Sequence, residues 1–242
     1  GLTGVVWGVV LGALLHFIIQ TPSLVRLGCF PRIVAGIAIS DVWRAIKLST
    51  PRTFGLILNQ IVFIAITAIA SLMGAGSIAV FNLAYNLQSV PLTIIGLSYS
   101  VAAFPTLARL FARNQLKEFL TNVSSALRHI IFWSLPITML FIVLRAQIVR
   151  VILGAGVFGW IDTRLTAATL ALFSLGILAQ GLILLFVRAF YAGGRTLKPV
   201  LINMISSLII IGLSLLFLWL FRICEEARYF FGDLLRVGDL EN

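Results

Sequence analysis

Asn82, Asn86 and Ser89 recur at i, i+4 and i+7 in a stretch without charged residues, with Tyr85 and Gln88 beside them. Gln60, Thr67 and Ser71 make a similar stripe one apolar segment earlier, next to Asn59. Residues three and four apart share one face of a helix, so each set lines amides and hydroxyls along one side. At neutral pH such groups neither attack a bond nor carry a proton. They hydrogen-bond a polar ligand, hold water, or bond to another helix. In hydrocarbon they are costly alone and must face a partner helix or a wet cavity.

Residues for catalysis are missing from the same segments. Asp41 and Asp162 fall in connections, so no carboxylate pair stands ready to hold Mg²⁺, and there is no His-Glu-x-x-His helix for a metalloprotease. His16 and His129 are isolated from each other and from Cys or acids, which suits packed or interfacial imidazoles better than metal ligands. Cys29 and Cys224 have no redox or metal spacing, and Gly74 and Gly76 lack the Lys-Ser/Thr of a phosphate loop. No enzyme activity, cofactor or metal is expected.

The elements that position these residues follow from composition. Of 242 residues, 60% are hydrophobic and 11% charged, against about 25% charged in soluble domains. That excludes a water-soluble globule and a disordered chain alike. The net charge of +10 would suggest nucleic acid in a soluble protein. Here no basic cluster sits beside exposed aromatics, and Lys and Arg facing anionic lipid account for it.

A charge at the bilayer centre costs about 2.5–3.5 kcal/mol on insertion scales, so gaps between charges locate the spans. The 56 residues between Arg52 and Arg109 carry none and hold two spans, about 53–73 and 78–108, with a turn at Gly74–Ser77. Further spans are expected at 1–19, 130–153, 165–187 and 199–221, giving six. Arg145 and Arg150 interrupt the fourth and would snorkel to an interface. Length, all-round hydrophobicity and the lack of period-2 alternation favour helices over barrel strands. The fold class is therefore all-α integral membrane.

Successive connections and the tail carry +4, 0, +3, +2, +3 and −2. By the positive-inside rule the first helix runs outside to inside and the tail, 222–242, is an external amphipathic segment. Within the 20–52 connection, Ser40–Thr50 reads as a short interfacial helix with Trp43 at headgroup depth, or as an ordinary amphipathic linker. Pro91, lacking an amide hydrogen, leaves the Leu87 carbonyl without its helical donor and is expected to kink the third helix; Pro105 and Pro136 would act likewise. Kinked helices with polar faces suit an alternating-access transporter, while the same stripes also suit glue in a static bundle. The chain opens on Gly1 with neither a basic n-region nor a cleavage site, which reads as a piece of a longer chain without a signal peptide.

The run from Gly76 to Pro91 (Gly-Ser-Ile-Ala-Val-Phe-Asn-Leu-Ala-Tyr-Asn-Leu-Gln-Ser-Val-Pro), then Gly96 and Phe104-Pro-Thr-Leu-Ala-Arg109, resembles the MurJ/MviN family of lipid II flippases. So do Pro51 with Gln60, Phe186 to Gly194 ahead of Thr196 and Pro199, and the upstream Gln20-Thr-Pro-Ser-Leu. The resemblance implies part of a fourteen-helix, two-lobe exporter fold around a cationic cavity, here helix six plus helices seven to eleven, without the remainder. It further implies a multi-pass protein of the bacterial cytoplasmic membrane whose partners are membrane lipids and a lipid-linked peptidoglycan precursor. The family's Ala-Asp-Arg-Leu stretch, with a Glu three residues after its Arg, reads here Ala84-Tyr85-Asn86-Leu87 with Ser89. Two acids and a base are replaced by neutral groups. Either the pyrophosphate is bound by arginines of the missing lobe, or cargo or coupling differs.

On this reading Asn59, Gln60, Asn82, Asn86 and Gln88 hydrate or bond the head group, and Arg52 and Arg109 attract its charge at the cytoplasmic rim. Topology determination alone would also explain the two arginines. An exporter of another lipid-linked oligosaccharide or of drugs, and a non-transporting scaffold, are the alternatives.

Overall fold

The computed structural model describes residues 2–28, 39–74, 76–156, 158–223 and 233. Among them are the helices α1 (Leu2–Arg26), α2 (Ile39–Ser71), α3 (Ser77–Pro91), α4 (Ser98–Ala112), α5 (Leu116–Val143), α6 (Arg145–Leu153), α7 (Trp160–Leu175), α8 (Ile177–Ala192) and α9 (Leu197–Ile223), with a π-helical turn, Leu92–Leu97, joining α3 to α4. Five stretches are long and apolar enough to cross a membrane, and counting the bent pair α7–α8 makes six. The fold is all-α, a set of membrane-spanning helices.

Two compact units divide the chain, Gly1–Ile46 and Lys47–Asn242. In the first, α1 exposes large apolar side chains such as Trp7, Phe17 and Ile19. Its polar groups bond along the helix itself, Thr21 Oγ1 to Phe17 O at 2.8 Å and Gln20 Nε2 with His16 Nε2 at 2.8 Å.

In the second unit large apolar side chains such as Phe132, Val151 and Trp219 stand exposed, while the small and hydroxylated residues Ala84, Ala167, Ala171, Ser100, Ser134, Thr163, Thr166 and Ser174 are buried beside Leu107, Ile130, Leu170, Ile177 and Leu185. Small and hydroxylated residues let helices approach closely when lipid is as apolar as leucine. Three of these hydroxyls bond a carbonyl one turn earlier, Ser100 on Gly96 O (2.6 Å), Ser174 on Leu170 O (2.6 Å) and Thr163 on Gly159 O (2.9 Å).

The tightest crossing joins the π turn to α8. A Cβ added at Gly96 would stand 2.7 Å from Gly181 Cα, and one at Gly181 would stand 3.2 Å from Ile130 Cγ2 of α5. Backbone cannot swing aside as a side chain can. Gly96→Ala is expected to destabilise the bundle by about 1–3 kcal/mol, as overpacking does, read as a lower unfolding temperature in detergent. An unchanged temperature would show that the two backbones do not meet.

Several boundaries differ from the sequence expectation. The first helix continues past residue 19 and through Pro22 to Arg26. The interfacial segment 40–50 and the span from 53 are parts of one helix, α2. The expected fourth span, 130–153, straddles a turn at Leu144. The long helix is Leu116–Val143, and Arg145 and Arg150 lie on the separate short α6. The expected fifth span is a pair, α7 and α8, bent by 44° at Gly176, and it continues to Ala192.

Pro91 produces a widened turn instead of a break, since the following six residues are π-helical. At Pro105 and Pro136 no break appears, and α4 and α5 run through them. Tight turns then reverse the chain. Asn114 takes left-handed backbone (φ 57°) while Gln115 N–H bonds Leu110 O at 3.0 Å, closing α4. The expected external tail, 222–242, lies outside the described residues apart from its first two positions and 233.

Candidate functional site

The two polar stripes meet the surface on neighbouring helices. Phe63 of α2 packs on Phe81 (centroids 6.0 Å apart) and Tyr85 (5.5 Å) of α3, and Phe173 of α7 meets both α3 rings edge-on. This aromatic cluster sets the level of the amides. Asn59 and Gln60 lie three to four residues before Phe63, and Asn82 and Asn86 flank Tyr85, so all four fall within about one helical turn of the ring contacts. Gln60, Thr67 and Ser71 line one groove with Phe63, Ile64, Ala68 and Ile78, of about 370 Å³.

Hydrogen bonding separates these residues into two kinds. Thr67 and Ser71 return their hydroxyls to Phe63 O (2.8 Å) and Ala68 O (2.6 Å), and Ser89 to Asn86 O (2.7 Å). Asn59, Gln60 and Asn86 are exposed and Asn82 is half-buried, and the side-chain amides of these four make no hydrogen bond to the described residues. An asparagine serving as glue looks different. Asn203 of α9 donates from Nδ2 to Gly55 O of α2 at 3.1 Å.

Gln88 does not share the amide surface. It is 1% exposed and its Nε2 has no partner among the described residues, whereas the stripe pattern sets it beside Asn82 and Asn86 at the water. The reason is angular: residues two positions apart on a helix point about 200° apart, which turns Gln88 away from Asn86 and onto the face of Ala84, Leu87 and Pro91. That is the face of α3 that packs on α7. Thr138 Oγ1 and Thr166 Oγ1 are likewise buried without partners.

The two arginines do not join the amides. Arg109 is exposed in the last turn of α4, some 35 Å along the chain of helices from Asn86 by the rise per residue. Arg52 lies on α2, and its side chain is outside the described residues. Among the described residues no group of three or more His, Cys, Asp and Glu is placed to hold a metal.

One polar contact escaped sequence reasoning. Arg188 of α8 donates from a guanidinium nitrogen to Leu97 O of the π turn (3.4 Å) and to Ser100 Oγ of α4. Charge counting places it in a connection, because the expected span, 165–187, stops one residue before it. The signal available was the family-like run Phe186 to Gly194, which brackets it.

Comparison with known proteins agrees with this architecture. The family model described as lipid II flippase MurJ matches residues 1–224. The probable lipid II flippase MurJ of Buchnera aphidicola subsp. Schizaphis graminum is 27% identical over 202 residues, 83% of this chain and 39% of that protein. The Vibrio cholerae protein of the same description is 26% identical over 218 residues, 90% and 42%, and the lipid II flippase MurJ of Burkholderia cenocepacia 25% over 212, 86% and 41%. A solved structure titled lipid II flippase MurJ, inward closed conformation, shares the fold with a TM-score of 0.62 at 23% identity, covering 75% of this chain and 38% of that one. The chain thus spans about two-fifths of the length of the curated relatives it matches. With the family model matched from the first residue to position 224, the chain belongs to the MurJ lipid II flippase family.

Proposed function

We propose that this chain supplies part of the second lobe of a flippase that carries lipid-linked peptidoglycan precursor across the bacterial cytoplasmic membrane by alternating access, without chemistry on the cargo. The observation that carries the reading over a static scaffold is the set of open amides. Among the described residues, the side-chain amides of Asn59, Gln60, Asn82 and Asn86 bond no other helix, whereas the glue residue Asn203 does. Their donors and acceptors are available to a sugar–pyrophosphate head, while the polyprenyl tail stays toward lipid. Arg52 and Arg109 stand at the rim under the positive-inside orientation and draw the anionic head inward.

The neutral Tyr85 and Asn86, where the family pattern has an acid and a base, favour a second reading at the level of cargo: another lipid-linked oligosaccharide recognised through its hydroxyls. The test uses the polypeptide that carries this chain, reconstituted in vesicles. Asn86→Leu is expected to insert normally yet flip lipid II about tenfold more slowly, the scale of one or two lost hydrogen bonds. Asn86→Arg restores the rate if the family site is shared. Faster transport of a differently headed polyprenyl diphosphate by the unaltered protein would favour the second cargo, and normal flipping by the leucine variant would remove Asn86 from the mechanism.

A further inference from the structure

We infer that the π turn keeps a single file of hydrogen-bond acceptors in phase along the rod Ser77–Ala112, and that Thr93 and Ser98 in this file receive sugar hydroxyls of the cargo's head group. The inference rests on the transport reading for the identity of the cargo, and on geometry alone for the file. Asn82, Asn86 and Ser89 begin it on α3. Ser89 Oγ donates to Asn86 O at 2.7 Å and Thr93 Oγ1 to Ser89 O at 2.7 Å, each the ordinary one-turn step of an α-helix. Ser98 Oγ then donates to Thr93 O at 3.2 Å, a step of five residues.

That longer step follows from the backbone. In an unbroken α-helix residues five apart point about 140° apart, so Ser98 would leave the file. Leu92–Leu97 is π-helical, and a π turn takes up the extra residue. Ser98 is thereby returned to the column of Thr93, where its hydroxyl finds that residue's carbonyl. From Asn82 to Ser98 the file runs about 24 Å by the rise per residue, most of the roughly 30 Å of hydrocarbon. The rod packs on its neighbours by another side, where Leu87, Pro91, Ile95 and Ser100 are buried, while Thr93 and Ser98 are exposed and Ser89 is half-buried. A hydroxyl bonded to its own helix is no sign of water by itself, since Ser100 and Ser174 do the same on packed faces. The file differs in staying on one open side across a change of helix type, with the amides of Asn82 and Asn86 at its head.

Its chemistry selects the ligand. A carbonyl only accepts, so the protons of Ser89, Thr93 and Ser98 are committed, and their oxygens keep lone pairs to offer. Such a file takes hydrogen bonds and gives none, which suits the hydroxyls of a sugar and does not suit the oxygens of a diphosphate. Asn82 and Asn86, with donors and acceptors both, serve either. The diphosphate is left to other groups, and the file holds the neutral part of the head.

The test uses the polypeptide that carries this chain, freed of its other cysteines, in membrane vesicles. Single cysteines at Thr93, at Ser98 and at the exposed apolar neighbour Ile94 are treated with a charged, water-soluble thiosulfonate. Thr93→Cys and Ser98→Cys are expected to react at least about tenfold faster than Ile94→Cys, because the reacting thiolate is disfavoured in apolar surroundings. Equal rates at all three would overturn an open file. Adding Pro91→Ala is expected to silence position 98 while Asn86→Cys stays reactive, since only residues past the turn rotate. Unchanged reactivity at 98 would show that the π turn does not keep the phase. For the cargo, Thr93→Val combined with Ser98→Ala removes two acceptors with little change of shape. In detergent its affinity for lipid II is expected to fall about tenfold, the scale of two neutral hydrogen bonds, with affinity for the bare polyprenyl diphosphate unchanged. Thr93→Ser, which keeps the acceptor, is expected to bind lipid II as the parent does. Equal loss for both lipids, or no loss for lipid II, would overturn the sugar assignment. A parent that does not bind lipid II would overturn the reading of its cargo, while the thiol rates still decide the file.

Discussion

Replacing Gln88 by Met is expected to raise the stability of this chain and at the same time to slow transport. Gln88 is 1% exposed and its Nε2 donates to nothing among its neighbours. A buried, unpaired donor costs about 1–3 kcal/mol in the state that buries it. Methionine keeps the unbranched shape and removes the donor, so the packed arrangement of α3 on α7 gains that amount. If α3 and α7 part during the cycle, the amide is then free to bond water or cargo, and Gln88 favours the open state by what it costs the closed one. The methionine variant loses this bias. Each 1.4 kcal/mol is a factor of ten in the equilibrium, so the open population, and flipping with it, falls by between about fivefold and a hundredfold or more. Thermal unfolding in detergent and flipping in vesicles check the two signs separately. A variant that unfolds earlier would show that the amide has a partner. One that is stabilised but flips normally would show that α3 and α7 stay packed throughout.

Much of the architecture was legible because the bilayer penalises charge so heavily. The uncharged interval from Arg52 to Arg109 marked α2 and the α3–α4 rod, and all-round hydrophobicity marked them as helices. What the charge gaps misplace is also physical. Charge gaps leave Lys117 and Glu118 outside any span, yet both sit in the first turn of α5, where a helix end can project charge out of hydrocarbon. Stopping at Val187 put Arg188 in a loop, although helix geometry continues to Ala192 and backbone acceptors of another helix receive the guanidinium. No single-helix pattern encodes that pairing.

The site divides in the same way. Stripe periodicity grouped Asn82 with Asn86 and set Gln60 on a second stripe, and among the described residues these amides have no hydrogen-bond partner. Adjacency in sequence wrongly joined Gln88 to them, since neighbours in sequence do not share a helix face. The Phe63–Phe81–Tyr85–Phe173 cluster, which places α2, α3 and α7 at one level, needs tertiary contact to be seen. The same holds for the glycine crossing, where Gly96 and Gly181 are 85 positions apart in the chain.

Pro91→Ala is expected to lower transport strongly, and its effect lies in helix phase. Proline at 91 cannot donate to Leu87 O, and the following turn, Leu92–Leu97, is π-helical. A π turn takes up one residue more than the α turn it replaces. Alanine supplies the missing donor, and the α ladder can then continue through the segment with its better-aligned bonds. Closing the turn by one residue rotates everything after it by about 100°. Gly96 then leaves Gly181, a side chain enters the crossing in its place, and Leu97 O and Ser100 Oγ turn away from Arg188. Apolarity of the span is unchanged, so insertion and accumulation are expected to match the parent. Flipping is expected to fall about a hundredfold, the scale of a lost close crossing plus a lost charge-assisted contact taken together. If the alanine variant instead flips like the parent, the π turn is held by the glycine contact and the arginine without help from the proline, and Pro91 has no part in transport.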